Sequence, residues 1–237
     1  MARQTRHANN GRGVRLADSI HNRAQEEIST LSCVMMSLAG LRVAILATNG
    51  FEQSELIEPR KALDEAGAKT TVLSSSEPGQ IQGMNHSEKG SRVAVDGELR
   101  KASPEDFDAV LLPGGVGNAE KLRMDESPRK FIRAMDHTHC PIAVICHGPW
   151  LLISAGLVKG RHLTSYFTLQ DDLRNAGARW SDEEVVRDKN WVSSRKPDDI
   201  PAFRQTMIQL FAEALKSHRP SSTEKTWPQK KGATSGR

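Results

Sequence analysis

The chain has 237 residues, of which 37% are hydrophobic and 26% charged, with no uninterrupted apolar run approaching the ~18 residues of a transmembrane helix. The formal net charge is +4, but the surplus sits at the ends: Arg3, Arg6, Arg12, Arg15 and Arg23 near the start, Lys225, Lys230, Lys231 and Arg237 in the tail. The body is close to neutral, so the basic pI argues for solvated tails, and neither a nucleic-acid partner nor a membrane is expected.

Residues 1–40 read as an N-terminal extension expected to be disordered. It is Arg-rich but lacks the apolar stretch of a signal peptide, and Asp18, Glu26 and Glu27 weaken a presequence reading. Met35-Met36 stand just before the first strand, so a native start there is a further expectation. The three cysteines, Cys33, Cys140 and Cys146, include no CxxC pair and point to a reducing compartment, with a cytoplasmic location expected. Cys140 and Cys146 bracket one predicted strand, ~20 Å apart by the strand rise, and should not pair.

Leu41 to Ala47 is the first predicted strand, followed by a helix from about Phe51 to Ala66 that Gly67 stops. Lys69 to Leu73 is a second strand. Residues 74–104 mix turn signals with short β-prone pieces around Ile81 and Val93 to Val95. Ala109 to Leu112 is an apolar strand running into Pro113-Gly114-Gly115. Residues 119–136 read as one helical stretch, Ile142 to Ile145 as a buried strand, and Trp150 to Ala155 as a helix closed by Gly156. Then follow a short strand near Thr164 to Tyr166, a helix from about Leu169 to Ala176, strands at Val185-Val186 and Trp191 to Ser193, and a final helix from Pro201 to about Ser217. Residues 218–237 read as a disordered tail.

Strands apolar on both faces and alternating with helices indicate an α/β fold: a single flavodoxin-like sandwich over residues 41–217, its mostly parallel sheet covered by helices on both faces. Ligands in such folds collect at the C-terminal ends of the strands. Three strands here end on Asn49-Gly50-Phe51-Glu52, on Pro113-Gly114-Gly115 and on Cys146-His147-Gly148. The last has the C-x-G arrangement of a nucleophile elbow. The tight turn projects the side chain above the sheet, the backbone N–H groups of the next helix face the same space, and the positive helix end favours thiolate. Glu52 and Glu55, three apart at the start of a helix, share a face from which one carboxyl reaches the thiol; the spacing does not choose between them. Gly114-Gly115 offers a second oxyanion donor. His137-Thr138-His139-Cys140 reads as a solvated loop, so no metal is expected.

Six blocks in order over about three quarters of the chain resemble the PfpI-type intracellular proteases of the DJ-one/PfpI superfamily. They are Phe51-Glu52 with Glu55-Leu56-Ile57 and Pro59; Phe107-Asp108-Ala109 to Gly115; Ile145-Cys146-His147-Gly148-Pro149; Thr164-Ser165-Tyr166; Asp171-Asp172 with Asn175-Ala176-Gly177; and Trp191 to Arg195 with Pro197-Asp198-Asp199. The resemblance implies Cys146 as nucleophile, His147 as its base or imidazolium partner, and Glu120 as a carboxylate lent by a neighbouring subunit. It also implies Glu52 or Glu55 as the glutamate beside the thiol, and Tyr166 as an active-site tyrosine. Gln53 stands where the family often has Asp, and Trp150 replaces the usual Gln, narrowing the pocket mouth as part of a substrate-binding set with Gly114, Gly115, His147 and Tyr166.

The expected activity is a cofactor-independent cysteine hydrolase or lyase, either an intracellular peptidase or a glyoxalase/deglycase acting on reactive aldehydes and glycated groups. The alternative is a redox sensor or holding chaperone with little turnover. Glutamine amidotransfer is set aside, because neither His162 nor His218 begins the His-x-Glu pair it needs. A carboxylate lent in trans makes a homodimer or hexamer the expected assembly.

Overall fold

The computed structural model describes residues 37–75 and 79–218. The expected native start at Met35-Met36, the N-terminal extension up to residue 36 and the tail from residue 219 lie outside the described residues. The extension expected to run to residue 40 meets the folded body earlier. Leu38 is fully buried, and its N–H donates to Ala66 O at 2.7 Å.

Three strands form the centre: β1 (Arg42–Leu46), β7 (Ala109–Leu112) and β8 (Ile142–Ile145). Beyond β1 lie β3 (Lys69–Ser74) and the two-residue β6 (Gly97–Glu98); beyond β8 lie β12 (Trp191–Ser194) and β11 (Val185–Asp188). The resulting seven-stranded order is β11-β12-β8-β7-β1-β3-β6. Every pairing is parallel except that of β11 with β12. Strands β7, β8 and β12 are buried along their whole length, which is why they read as continuous apolar runs rather than alternating ones.

The strand period of two divides these residues between two cores. Val43, Ile45, Ala143 and Ile145 face α1 (Gln53–Glu65) and α6 (Ile200–His218), packing with Leu56, Phe203, Met207 and Phe211. Ala44, Leu46, Ile142 and Val144 face the other way, toward Phe131, Ile132 and Met135 of α3 (Glu126–His137) and Leu151 and Leu152 of α4 (Pro149–Ser154). Helices thus cover both faces, and the strand ends are left to carry loops.

The stretch predicted as one helix over 119–136 is two, α2 (Val116–Met124) and α3. Asp125 breaks it: its backbone is extended, and its side chain caps α3 by accepting from Ser127 N at 2.9 Å. The β-prone pieces around Ile81 and Val93 form an antiparallel hairpin, β4 (Gln80–Asn85) and β5 (Glu88–Ala94), to which β2 (Phe51–Glu52) adds in parallel. The strand expected at Thr164 to Tyr166 lies earlier. Here β9 (His162–Leu163) pairs with β10 (Arg179–Trp180), and 164–166 become a loop whose Tyr166 N–H donates to Cys146 O at 3.0 Å. A short helix, α5 (Gln170–Asn175), follows that loop. No helix among the described residues is long and apolar enough to cross a membrane.

Candidate active site

The loops after β1, β7 and β8 converge at the C-terminal edge of the sheet. Cys146 follows β8 directly, with φ at +61°, the left-handed region that a non-glycine residue seldom occupies. Its N–H donates to Ser194 O at 3.1 Å, and the Gly148 N–H closes the turn on Ile145 O at 3.0 Å. Gly148 has no room for a side chain: a Cβ there would stand 2.8 Å from Leu112 O and 3.0 Å from Ile145 O. The elbow therefore depends on a strained cysteine and a glycine that allows two strands to approach.

Of the two glutamates, the structure brings Glu55 to the sulfur. Glu55 is fully buried in the first turn of α1, and its Oε2 accepts from Gly114 N at 2.9 Å. Its carboxyl adjoins the Cys146 thiol, each altering the other's proton affinity. Glu52 is the N-cap residue of α1, and its Oε2 accepts from His86 N at 3.0 Å, with His86 Nδ1 3.7 Å away. The candidacy of Glu52 as the thiol's neighbour is thereby corrected: Glu52 ends β2 with an extended backbone, before α1 begins, and its carboxylate meets the β4–β5 hairpin.

Burial pushes the Glu55 carboxyl up to about 8, with the charge of Glu52 adding to the rise, and contact with Cys146 and the Gly114 N–H opposing it. Glu55 Oε1 is buried without a hydrogen-bond partner, which makes it the natural seat of the retained proton. Burial also pushes the Cys146 thiol up, as does the Glu55 charge whenever that carboxyl ionises; the Gly115 and His147 N–H groups, aimed at the sulfur, pull it back. The expected help from a positive helix end is outweighed, since α4 has only six residues. With Glu55 protonated that repulsion disappears.

His147 Nδ1 lies 3.1 Å from Cys146 Sγ, and burial pushes the imidazole down to about 4. Burial thus disfavours the charged imidazolium, and the ring nitrogen and the thiol share one hydrogen bond. Tyr166 packs against that ring at a centroid distance of 4.9 Å, and Trp150 meets it edge-on at 5.2 Å. Gly114 completes the floor. A Cβ on it would collide with the Glu55 carboxylate and stand 2.6 Å from Cys146 Cβ, so only glycine lets carboxyl and thiol meet.

Glu120 is not brought to this cluster: it lies exposed on α2, with no hydrogen bond or ion pair to Cys146 or His147. Among the described residues no group of three or more His, Cys, Asp or Glu could hold a metal ion. A cavity of about 750 Å³ lies at the opposite end of the sheet, lined by Leu41, Phe107, Ala134, Cys140 and Leu215, and is separate from this chemistry.

Sequence reasoning missed Asn118. It is fully buried, receives the Thr48 N–H at 2.7 Å, and donates to Pro113 O and Gly114 O, both at 3.0 Å. One amide thus ties the loop after β1 to the loop after β7. The signal available was an Asn in the first turn of a helix that follows Gly-Gly, which reads equally well as an ordinary cap.

A family model described as the DJ-1/PfpI family matches residues 41–210. Deglycase PfpI of Pyrococcus furiosus is 42% identical over 171 residues, spanning 72% of this chain and 99% of its own. Deglycase TK1284 of Thermococcus kodakarensis is 43% identical, again over 72% of this chain and 99% of its own. Among solved structures, Drosophila melanogaster DJ-1beta superposes with a TM-score of 0.65 at 25% identity, covering 75% of this chain and 96% of that one.

Proposed function

Because the chain belongs to the DJ-1/PfpI family, we propose that it is a cofactor-independent enzyme whose Cys146 adds to small reactive aldehydes and the glycated groups they form. The observation that carries this reading is the fully buried Glu55 carboxyl, held by Gly114 N beside Cys146, where burial raises its proton affinity. The relatives named deglycases favour this chemistry over peptide cleavage.

With an α-oxoaldehyde such as methylglyoxal, the sulfur bonds to the aldehyde carbon and the carbonyl electron pair moves to oxygen. The N–H groups of Gly115 and His147 face that oxygen, and a proton completes the hemithioacetal. The carbon-bound hydrogen then leaves as a proton to a base while the neighbouring carbonyl oxygen is protonated, giving an enediol. Return of a proton to the second carbon, with loss of the proton from the oxygen on the sulfur-bearing carbon, gives a thioester, and water releases lactate and the free thiol. Glu55, with its proton affinity near the working pH, can give and take protons in turn, and neutral His147 serves as the second carrier.

The test is lactate formation from methylglyoxal by the wild type and Cys146→Ala, in metal-free buffer without added thiol. Turnover is expected from the wild type alone. Equal rates in both proteins, or none from a wild type whose Cys146 is free and reduced by intact mass, would overturn the reading; in the second case a redox sensor becomes the better account.

Assembly into a homodimer or hexamer belongs to the same proposal. Val116, Glu120 and Met124 share one exposed face of α2, and the two apolar side chains are 53% and 75% exposed on either side of the carboxylate. Such a face suits a second copy that receives Glu120 beside its His147. Mixing Glu120→Gln with Cys146→Ala, each expected to be impaired, should restore activity through hybrid sites. No gain on mixing under conditions where subunits exchange would refute the shared site.

A further inference from the structure

His147 is held between two rings, and one of them, Trp150, is itself held. Trp150 Nε1 donates to Asp172 Oδ2 at 2.8 Å, tying α4 to α5. The Arg123 guanidinium lies over the same indole, 5.3 Å from its centroid, while Arg123 Nε donates to Ser154 Oγ at 2.9 Å. Arg123 comes from α2 and Ser154 from the far end of α4, so the indole is gripped from two helices beyond its own. An indole that was merely covering surface would need neither partner.

We infer that Trp150, braced by Asp172 and Arg123, is a positioning residue for His147 and the wall that limits the site to short aldehydes. This rests on the aldehyde reading above for its substrate class, but its geometric half does not. Two consequences of the packing lead to it. First, the edge-on indole at 5.2 Å and the Tyr166 ring at 4.9 Å flank the imidazole in the orientation that sets Nδ1 on Sγ. Second, both rings help to bury the imidazole, which is 7% exposed, and burial lowers its proton affinity. The groups facing it are the Cys146 thiol and the Tyr166 ring; Asp172 and Arg123 face the indole. An aryl substituent on the aldehyde would compete with the indole for the space beside His147, which a two- or three-carbon aldehyde would not need.

The experiment compares methylglyoxal with phenylglyoxal as substrates, and follows His147 by NMR titration, in wild type, Trp150→Ala, Asp172→Ala and Asp172→Asn. Removing the indole is expected to raise the phenylglyoxal to methylglyoxal ratio of kcat/KM by about tenfold or more, the scale on which hydrophobic pockets discriminate by size. It should also move the His147 titration up from about 4 toward its ordinary value. Asp172→Ala should shift both readouts in the same direction by less, and Asp172→Asn, which keeps an accepting oxygen, should return them toward wild type. An unchanged ratio in an active enzyme, or a His147 titration that stays put in folded Trp150→Ala, overturns the inference. If the wild type consumes neither aldehyde, the substrate reading fails on its own and the titration alone decides the brace.

Discussion

The Glu55→Gln substitution tests the electrostatics of the site without requiring a substrate. In the folded protein the carboxyl keeps its proton up to about pH 8, against an ordinary value of 4.5. A carboxyl raised on folding contributes stability that is complete below pH 4.5 and lost as the pH climbs through 8. His147 works in the opposite sense: lowered from 6.5 to about 4, it makes stability fall as the pH drops below 6.5. Between pH 4.5 and 6.5 the two slopes offset. Between pH 6.5 and 8 only Glu55 remains, and the linkage over that interval is about 1–2 kcal/mol, on the scale of 1.36 kcal/mol per pH unit for one proton. The carboxamide of Glu55→Gln has no proton to lose and can still accept from Gly114 N. Urea unfolding at pH 6.5 and 8 should therefore show the wild type losing this amount and the variant losing almost none. Equal losses in the two proteins would mean that Glu55 is already ionised at pH 6.5, and the proton-carrier role argued for it would go with the result.

Two further substitutions probe the scaffold. Gly114→Ala places a methyl group 2.6 Å from Cys146 Cβ and 2.9 Å from His147 N, and into the Glu55 carboxylate. It should cost about 1–3 kcal/mol in urea unfolding, as overpacking does, and reduce aldehyde turnover at least a hundredfold. Wild-type turnover in a folded Gly114→Ala protein would show that Glu55 need not touch the thiol. Asp125→Ala removes the α3 cap and should cost about 1 kcal/mol with kcat unchanged; a fall in kcat would tie the α2–α3 junction to the chemistry.

The sheet was legible because its strands are buried on both faces: β7, β8 and β12 announce themselves as short apolar runs between turn residues. The elbow was legible because a Cys-His pair at the end of such a run has few structural explanations. What the sequence left open depends on rotation and contact. Glu52 and Glu55 share a helix face in projection, yet Glu52 belongs to β2 and only Glu55 to α1, and the packing of α1 against the β7 loop selects Glu55. The break at Asp125 was hidden because the residues on either side continue a helical pattern, and capping overrode it locally. The choice between base and imidazolium for His147 was open in the sequence because proton affinity follows burial, and burial, which lowers it here, is a tertiary property. Asn118 and Asp172 act through partners far along the chain, Thr48 and Trp150, and no local pattern announces such partners.

The site is also where the fold gives up stability. A cysteine at φ +61° carries backbone strain on the order of 1–3 kcal/mol. Burying Glu55 and His147 disfavours the charged form of each. Two side-chain atoms among the described residues are buried without a partner: Glu55 Oε1, and Thr164 Oγ1 in the loop that delivers Tyr166. The other buried side-chain N and O atoms among the described residues have hydrogen-bond partners. A leucine at position 55 and a glycine at 146 would remove the desolvation and the strain while keeping the elbow's backbone. Residues that are locally unfavourable, packed against one another and joined by a 3.1 Å sulfur–nitrogen contact are difficult to explain as stabilising structure. That cost argues for a working thiol at Cys146 independently of any likeness to other proteins.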